Sequence, residues 1–166
     1  MARLDERAFA ACYEHNGRAL WSYVYRVTGK ASDADDIVQD AFCRLLQAEV
    51  GDLMGEELRR YVFRIASNLI ADRWRRARVE ESWLDRLRGT TREQAEPEYD
   101  DSVSREFAAL KSQDRALLWM AYVEGENHED IAQALGLARG SVKVMLSRAR
   151  KRLRDLLAAK GLTARA

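Results

Sequence analysis

His128 to Arg154 reads HEDIAQALGLARGSVKVMLSRARKRLR, and this stretch decides the fold. Ile131, Leu135, Leu137, Val142 and Met145 are apolar at spacings that suit a short helix, a turn and a second helix. Ala132 is small where two helices must touch. Gly136 stands at the turn, where a residue without Cβ tolerates left-handed dihedrals. Together these residues fit a helix-turn-helix, whose second helix enters a DNA major groove. From Arg139 to Arg154 the basic residues are Arg139, Lys143, Arg148, Arg150, Lys151, Arg152 and Arg154, with no acid among them. A segment this one-sided in charge can neutralise phosphates. The plainer alternative is a helical hairpin with a solvated basic face.

Composition sets the outer limits. The chain has 166 residues, room for one medium domain or two small ones. One proline and nine glycines, among many Ala, Leu, Arg and Glu, favour helices over sheets. Net charge is +1, so nucleic-acid binding must be argued from the distribution of charge and not from its total. The two cysteines, Cys12 and Cys43, are far apart and form no ligand cluster, which suggests a reducing compartment. Cys12 and His15 share a CxxH spacing, with no second pair to complete a zinc site. The start, MARLDERAF, lacks the apolar core of a signal peptide, and no apolar run approaches a membrane span. The expectation is a cytoplasmic protein that does not insert in membranes.

Outward from the helix-turn-helix, the pattern predicts an all-α chain. The first helical block runs over residues 5–79. Phe9, Tyr13, Leu20, Val24 and Val27 have near-helical spacing that ends at Gly29. Ser32 and Asp35 then offer a capping box. The helix that follows carries Ala34, Ile37, Val38, Ala41, Phe42, Leu45 and Leu46, an amphipathic stripe over three turns. Glu49 to Gly55 is less regular. A third helix is predicted from about Glu56 to Arg78, with Tyr61, Ile65, Leu69 and Ile70 inward. Residues 80–102 change character: eight acids stand against three arginines, with the only proline, Pro97. This reads as an acidic flexible linker, with a short helix around Trp83 and Leu87 as an option. The second block covers residues 103–160. Phe107, Leu110, Leu117, Leu118, Ala121 and Tyr122 give two helices that support the helix-turn-helix.

Two further features carry chemistry. Asp33, Asp35, Asp36, Gln39 and Asp40 form an acidic and amide patch opposite the apolar stripe. Read alone, it is a solvated helix start matched to the macrodipole. Carboxylates at this spacing also suit a metal pair, but no histidine or second carboxylate helix supports one. At the end of the third helix, Arg73, Arg75, Arg76 and Arg78 crowd around Trp74, with Asn68 and Asp72 nearby. Basic groups interleaved with aromatics suit a nucleic-acid backbone and exposed bases. The alternative is core aromatics with solvating arginines.

These features occur in a recognisable order. DADDIVQDAF (33–42), YVFRIASNLIADRWRR (61–76) and GENHEDIAQALGLARGSVKVMLSRARKRL (125–153) resemble three motifs of the extracytoplasmic-function group of sigma-70 RNA polymerase sigma factors. The resemblance covers nearly the whole chain outside the linker. Tyr61 stands for the usual tryptophan, Lys111 for a frequent proline, and His128 and Asp130 for tyrosine and glutamate.

The resemblance implies a division of labour. The first block would bind core RNA polymerase at the β′ clamp through Asp36, Gln39 and Asp40, with Phe42 packing. This overturns the solvated-face reading of that helix. Asn68 and Asp72 would read the −10 element, with Arg73, Arg75 and Arg76 on phosphates. Glu49 to Gly55 matches the place where the family captures a flipped base, and EVGDLMG offers no evident aromatic platform. The second block would read the −35 element through Arg139, Ser141, Lys143, Val144, Ser147 and Arg148. Lys143 and Arg148 have the reach for guanine or phosphate, and Val144 could meet a thymine methyl. Arg150 to Arg154 would face phosphates or the polymerase β flap. Promoter DNA and an anti-sigma factor are the other implied partners.

No Ser-His-Asp set, paired catalytic acids, phosphate loop or metal cluster stands out, so no catalytic residue, metal or cofactor is expected. Two rivals stay open. A response-regulator type of DNA binder would share the helix-turn-helix but needs a phospho-acceptor or ligand domain upstream. A helical adaptor would leave the basic residues of 139–154 idle.

Overall fold

The computed structural model describes the backbone of residues 2–84 and 102–162, and the side chains of 2–80 and 102–162. Every regular element among them is helical. The order is α1 (Glu6–Thr28), α2 (Ala31–Gln47), α3 (Gly55–Leu84), α4 (Ser102–Ala109), α5 (Ser112–Tyr122), α6 (His128–Leu135), a 3₁₀ turn (Arg139–Ser141) and α7 (Val142–Ala159). They fall into two compact units, α1 to α3 and α4 to α7, with Arg26–Gly29 grouped in the second.

In the first unit, Asp5 caps α1 by accepting the Ala8 N–H at 2.7 Å, which satisfies one free donor of the first turn. Gly29 turns the chain with φ 75°. The helix then restarts earlier than the expected capping box. Its N-cap is Lys30, extended and without a side-chain cap, so Ser32 already lies inside α2. Asp35 is used elsewhere: it accepts the Trp21 Nε1–H at 2.8 Å. The inner face of α2 is Ala34, Ile37, Ala41, Phe42 and Leu45. It packs on α3, whose buried stripe is Leu58, Val62, Phe63, Ala66, Leu69 and Ile70. Tyr61 and Ile65, expected inward, are half-buried on the flanks of that stripe. Between α1 and α3 the Tyr23 hydroxyl meets Ser67 Oγ at 2.7 Å, and Ser67 Oγ donates to the Phe63 carbonyl at 2.8 Å. Tyr23 and Phe63 stack with centroids 5.6 Å apart.

α3 continues to Leu84, past the expected end near Arg78. Apolar periodicity stops there, but no glycine or proline does, and Arg, Glu and Ala sustain a helix. The first residues of the expected linker are therefore helical backbone. Its residues 85–101, with Leu87 and Pro97, lie outside the described residues, and Ser102 opens α4.

In the second unit, Lys111 is the N-cap of α5 at φ −63° and ψ 147°. That is the φ a proline ring fixes, so lysine at a position where the resemblance expects proline keeps the same turn. The core is Leu110, Ala116, Leu117, Leu118 and Met120, closed by Ile131, Ala132, Ala134 and Leu135 of α6 and by Val142, Leu146 and Ala149 of α7. Asn127 caps α6 by accepting the Asp130 N–H at 2.8 Å. Gly136 ends α6 in the left-handed region, φ 64° and ψ 36°, and the Leu137 N–H closes back on the Ala132 carbonyl at 2.9 Å. The helix, glycine turn and second helix expected from the sequence are all present. Gly136→Ala is expected to destabilise the protein by about 1–2 kcal/mol, because a Cβ disfavours this conformation. Urea denaturation followed by circular dichroism checks it; an unchanged midpoint would show that the turn relaxes freely.

Candidate nucleic-acid interface

α7 has two faces. Val142, Leu146 and Ala149 are buried, with Met145 and Leu153 half-buried beside them. Lys143, Val144, Ser147, Arg148 and Lys151 recur at helical spacing on the other side and are exposed. Val144 is 50% exposed, an apolar side chain in the middle of a polar stripe. Ahead of α7, Arg139 donates from Nη2 to Glu129 Oε2 at 2.9 Å. Ser141 Oγ donates to the Ala138 carbonyl at 2.7 Å, which closes the 3₁₀ turn.

The seven basic residues of this segment are all exposed, but some are engaged by side chains of other elements. Arg150 Nη1 donates to the Tyr122 hydroxyl at 2.8 Å. Arg152 Nη1 donates to Asp114 Oδ2 at 2.7 Å, and the Asp114 side chain is 8% exposed. Arg152 therefore satisfies a buried carboxylate of α5. Lys143, Arg148 and Lys151 carry no ion pair among the described residues. On another face of this unit lies an open apolar cleft of about 720 Å³, lined by Phe107, Trp119, Tyr122, Leu153 and Leu157 with Arg150 and Arg154. Sequence periodicity missed it. Tyr122, one of the apolar residues that mark the supporting helices, is 60% exposed on the cleft wall.

In the first unit, Asn68, Arg75 and Arg76 are exposed on α3, and Asp72 and Arg73 are half-exposed. Arg75 pairs with Asp72 one turn earlier. Arg73 Nη1 donates to Asp33 Oδ1 at 3.0 Å, which ties α3 to the first turn of α2. On α2, Asp36, Gln39 and Asp40 face solvent, and Asp40 accepts from Arg44 Nε at 3.3 Å. Phe42 is buried, edge-on to Tyr13 at 4.8 Å and Phe9 at 6.0 Å. Beside the acidic face runs a groove of about 470 Å³ lined by Phe9, Tyr13, Trp21, Val38 and Leu46. Tyr13 and Leu46, placed on inward stripes by spacing, are 54% and 45% exposed on its wall. For Leu46, its place at the edge of the α2 stripe, on the side of Gln39, was the available signal.

The segment between α2 and α3 turns at Gly51, φ 61°, and again at Gly55, φ 52°. It overhangs a cleft of about 420 Å³ whose lining includes Cys12, His15, Asn16, Leu53, Met54 and Arg59. No Phe, Tyr or Trp is among its described lining residues, and the aromatic ring it holds is the His15 imidazole. Asn16 is buried; it donates to the Cys12 carbonyl at 3.1 Å and accepts from Arg59 Nη1 at 3.1 Å. Burial pushes the Cys12 thiol up, against a smaller pull down from the Asn16 hydrogen bond.

Residues 12–80 match the family model for Sigma-70 region 2, and residues 101–153 match that for Sigma-70, region 4. The chain is similar to the ECF RNA polymerase sigma factor SigL of Mycobacterium tuberculosis, 32% identical over 177 residues that cover 98% of this chain and 99% of that one. It is also similar to SigM of the same species, 29% identical over 154 residues, covering 92% and 79%. Among solved structures, the sigma factor RpoE bound to the anti-sigma factor NepR, from Bartonella quintana, superposes with a TM-score of 0.66 at 24% identity, over 90% of this chain and 96% of that one. CnrH bound to the cytosolic domain of CnrY superposes at 0.60 and 25% identity, over 93% and 90%.

The unequal roles of the basic residues can be separated by stability. Arg152→Ala leaves the Asp114 carboxylate buried without this partner and is expected to cost about 1–3 kcal/mol. Arg148→Ala and Lys143→Ala, on the outward stripe, are expected to leave the urea midpoint within error. Equal losses at all three positions would contradict the two-faced reading of α7.

Proposed function

The chain belongs to the extracytoplasmic-function sigma factors of the sigma-70 family, and from that premise we propose how its two units divide promoter recognition. As a member it is a promoter-recognising transcription initiation factor and not an enzyme. In our reading, the unit of α1 to α3 serves core RNA polymerase and the −10 element, and the unit of α4 to α7 serves the −35 element, in the bacterial cytoplasm. The observation that carries this is the outward stripe of α7, where cationic and small side chains alternate around an exposed valine while the opposite face is buried.

In the proposed complex α7 lies in the major groove. Lys143 and Arg148 reach guanine or phosphate, Val144 meets a thymine methyl, and Ser147 approaches a base edge or the backbone. Arg139 and Ser141 stand at the N-terminal end, Arg139 on a phosphate and Ser141 holding the turn. The apolar cleft with its two arginines is the proposed seat of the polymerase β flap. On α2, Asp36, Gln39 and Asp40 together with the adjoining aromatic groove take the β′ clamp, and Phe42 supports them from beneath. Asn68 and Asp72 read the −10 element, with Arg73, Arg75 and Arg76 on its backbone. A base extruded near −10 would enter the cleft under residues 49–55. Unstacking it costs a few kcal/mol, and with no Phe, Tyr or Trp in the lining the return must come from hydrogen bonds, from the His15 imidazole and from contacts to Met54 and Leu53. An anti-sigma protein that covers these same surfaces is the proposed regulator, supported by the relative solved with NepR.

Runoff transcription with bacterial core polymerase on a promoter library tests the reading. Transcripts that share one two-part upstream motif are expected when the chain is present. Asp36→Lys with Asp40→Lys should abolish both these transcripts and binding to core, while DNA binding by the chain alone persists. Tight DNA binding without any transcript would sink the proposal and favour an ordinary DNA-binding regulator.

A further inference from the structure

Three arginines assigned above to promoter DNA already hold a carboxylate. Arg73 holds Asp33 at 3.0 Å, Arg139 holds Glu129 at 2.9 Å, and Arg75 pairs with Asp72. In the first two pairs the acid comes from another element, α2 reaching to α3 and α6 reaching to the 3₁₀ turn, and each unit has one such pair. All four side chains are accessible, 41% and 33% in the first pair and 76% and 62% in the second. A phosphate that approaches either arginine meets a guanidinium whose charge is already matched. Carboxylate and phosphate are both anions and compete for the same N–H groups. One must leave, or be pressed against the other. Lys143 and Arg148 have no such partner among the described residues, so the attraction of α7 for DNA is reduced without being removed.

We propose that Asp33 and Glu129 act as intramolecular phosphate surrogates that hold down the affinity of the free chain for DNA of any sequence. The proposal rests on the reading that Arg73 and Arg139 face DNA. Exposed ion pairs are weak in water, so the device tunes binding and does not block it. A phosphate held in place by many other contacts, as in a promoter complex with polymerase, displaces the acid. A phosphate met in passing does not. The free protein would thus spend less time on non-promoter DNA, a gain for a factor whose total charge is close to neutral.

The test is a salt titration of the full chain, without polymerase, on a short duplex of arbitrary sequence, read by fluorescence anisotropy. Wild type is compared with Asp33→Asn/Glu129→Gln and with Glu14→Gln/Glu106→Gln. The control removes the same two charges from positions with no ion pair among the described residues. Each phosphate newly neutralised adds about 0.9 to the slope of log affinity against log salt. The Asp33/Glu129 variant is therefore expected to steepen the slope by about 1.8 and to tighten binding by on the order of tenfold at ~0.1 M salt. Each single substitution, sitting in a separate unit, should give about half the slope change. The control should leave the slope unchanged. Equal effects in variant and control would reduce the phenomenon to net charge and overturn the proposal. Weaker binding would make the acids orienting groups for their arginines and overturn it too, as would unchanged binding or no binding by any of the proteins at the lowest salt. Failure of the sigma-factor reading would appear separately, as missing promoter-specific transcripts in an assay that contains polymerase.

Discussion

A helix with 3.6 residues per turn that buries Val142, Leu146 and Ala149 against its own domain is forced to turn Lys143, Val144, Ser147 and Arg148 to the outside. The rest of the second unit depends on this constraint. α5 and α6 supply the apolar floor on which α7 is seated, and Gly136 sets the angle at which it arrives. Asp114 and Arg152 fix its rotation. A carboxylate buried in α5 finds its cation on α7, so a turn of α7 about its axis would strand a charge in the core. The face that α7 turns outward is therefore set by packing on the opposite side of the helix.

The first unit solves a different problem. It holds an acidic surface on α2 and a basic one on α3 side by side, joined where Arg73 meets Asp33. Ile37, Ala41 and Leu45 pack α2 on α3, while Tyr23 and Ser67 lock α1 to α3 through a buried hydrogen bond. The aromatic trio of Phe9, Tyr13 and Phe42 braces α1 against the C-terminal half of α2. This leaves Asp36, Gln39 and Asp40 exposed on a braced helix next to an apolar groove.

Much of this was legible in the sequence. Period-3.6 stripes gave α1, α2 and α7, and Gly136 gave the turn, because burial and left-handed dihedrals each demand particular residue types. The acidic and basic surfaces were visible as residues but not as partners. That Arg73 bonds Asp33, forty positions away, and that Arg152 pairs with the buried Asp114, are facts of packing with no short-range signature. The start of α2 was misread for a related reason: Asp35, apparently a capping residue, is claimed by the Trp21 indole across the helix pair. Tyr13 and Leu46 lie on apolar stripes yet are exposed, because apolar periodicity does not tell the middle of a stripe from its edge.

Lys111 shows how little of a fold some positions decide. Its backbone already sits where a proline ring would place it. Exchanging the two residue types would leave the folded corner as it is and change mainly the ensemble from which it forms, since a ring removes conformations that an unfolded lysine is free to visit. Chains with lysine or proline here can therefore share one native geometry and differ in how much disorder is given up to reach it. Drift at this site is written in the entropy of the denatured chain, where no comparison of folded structures would find it.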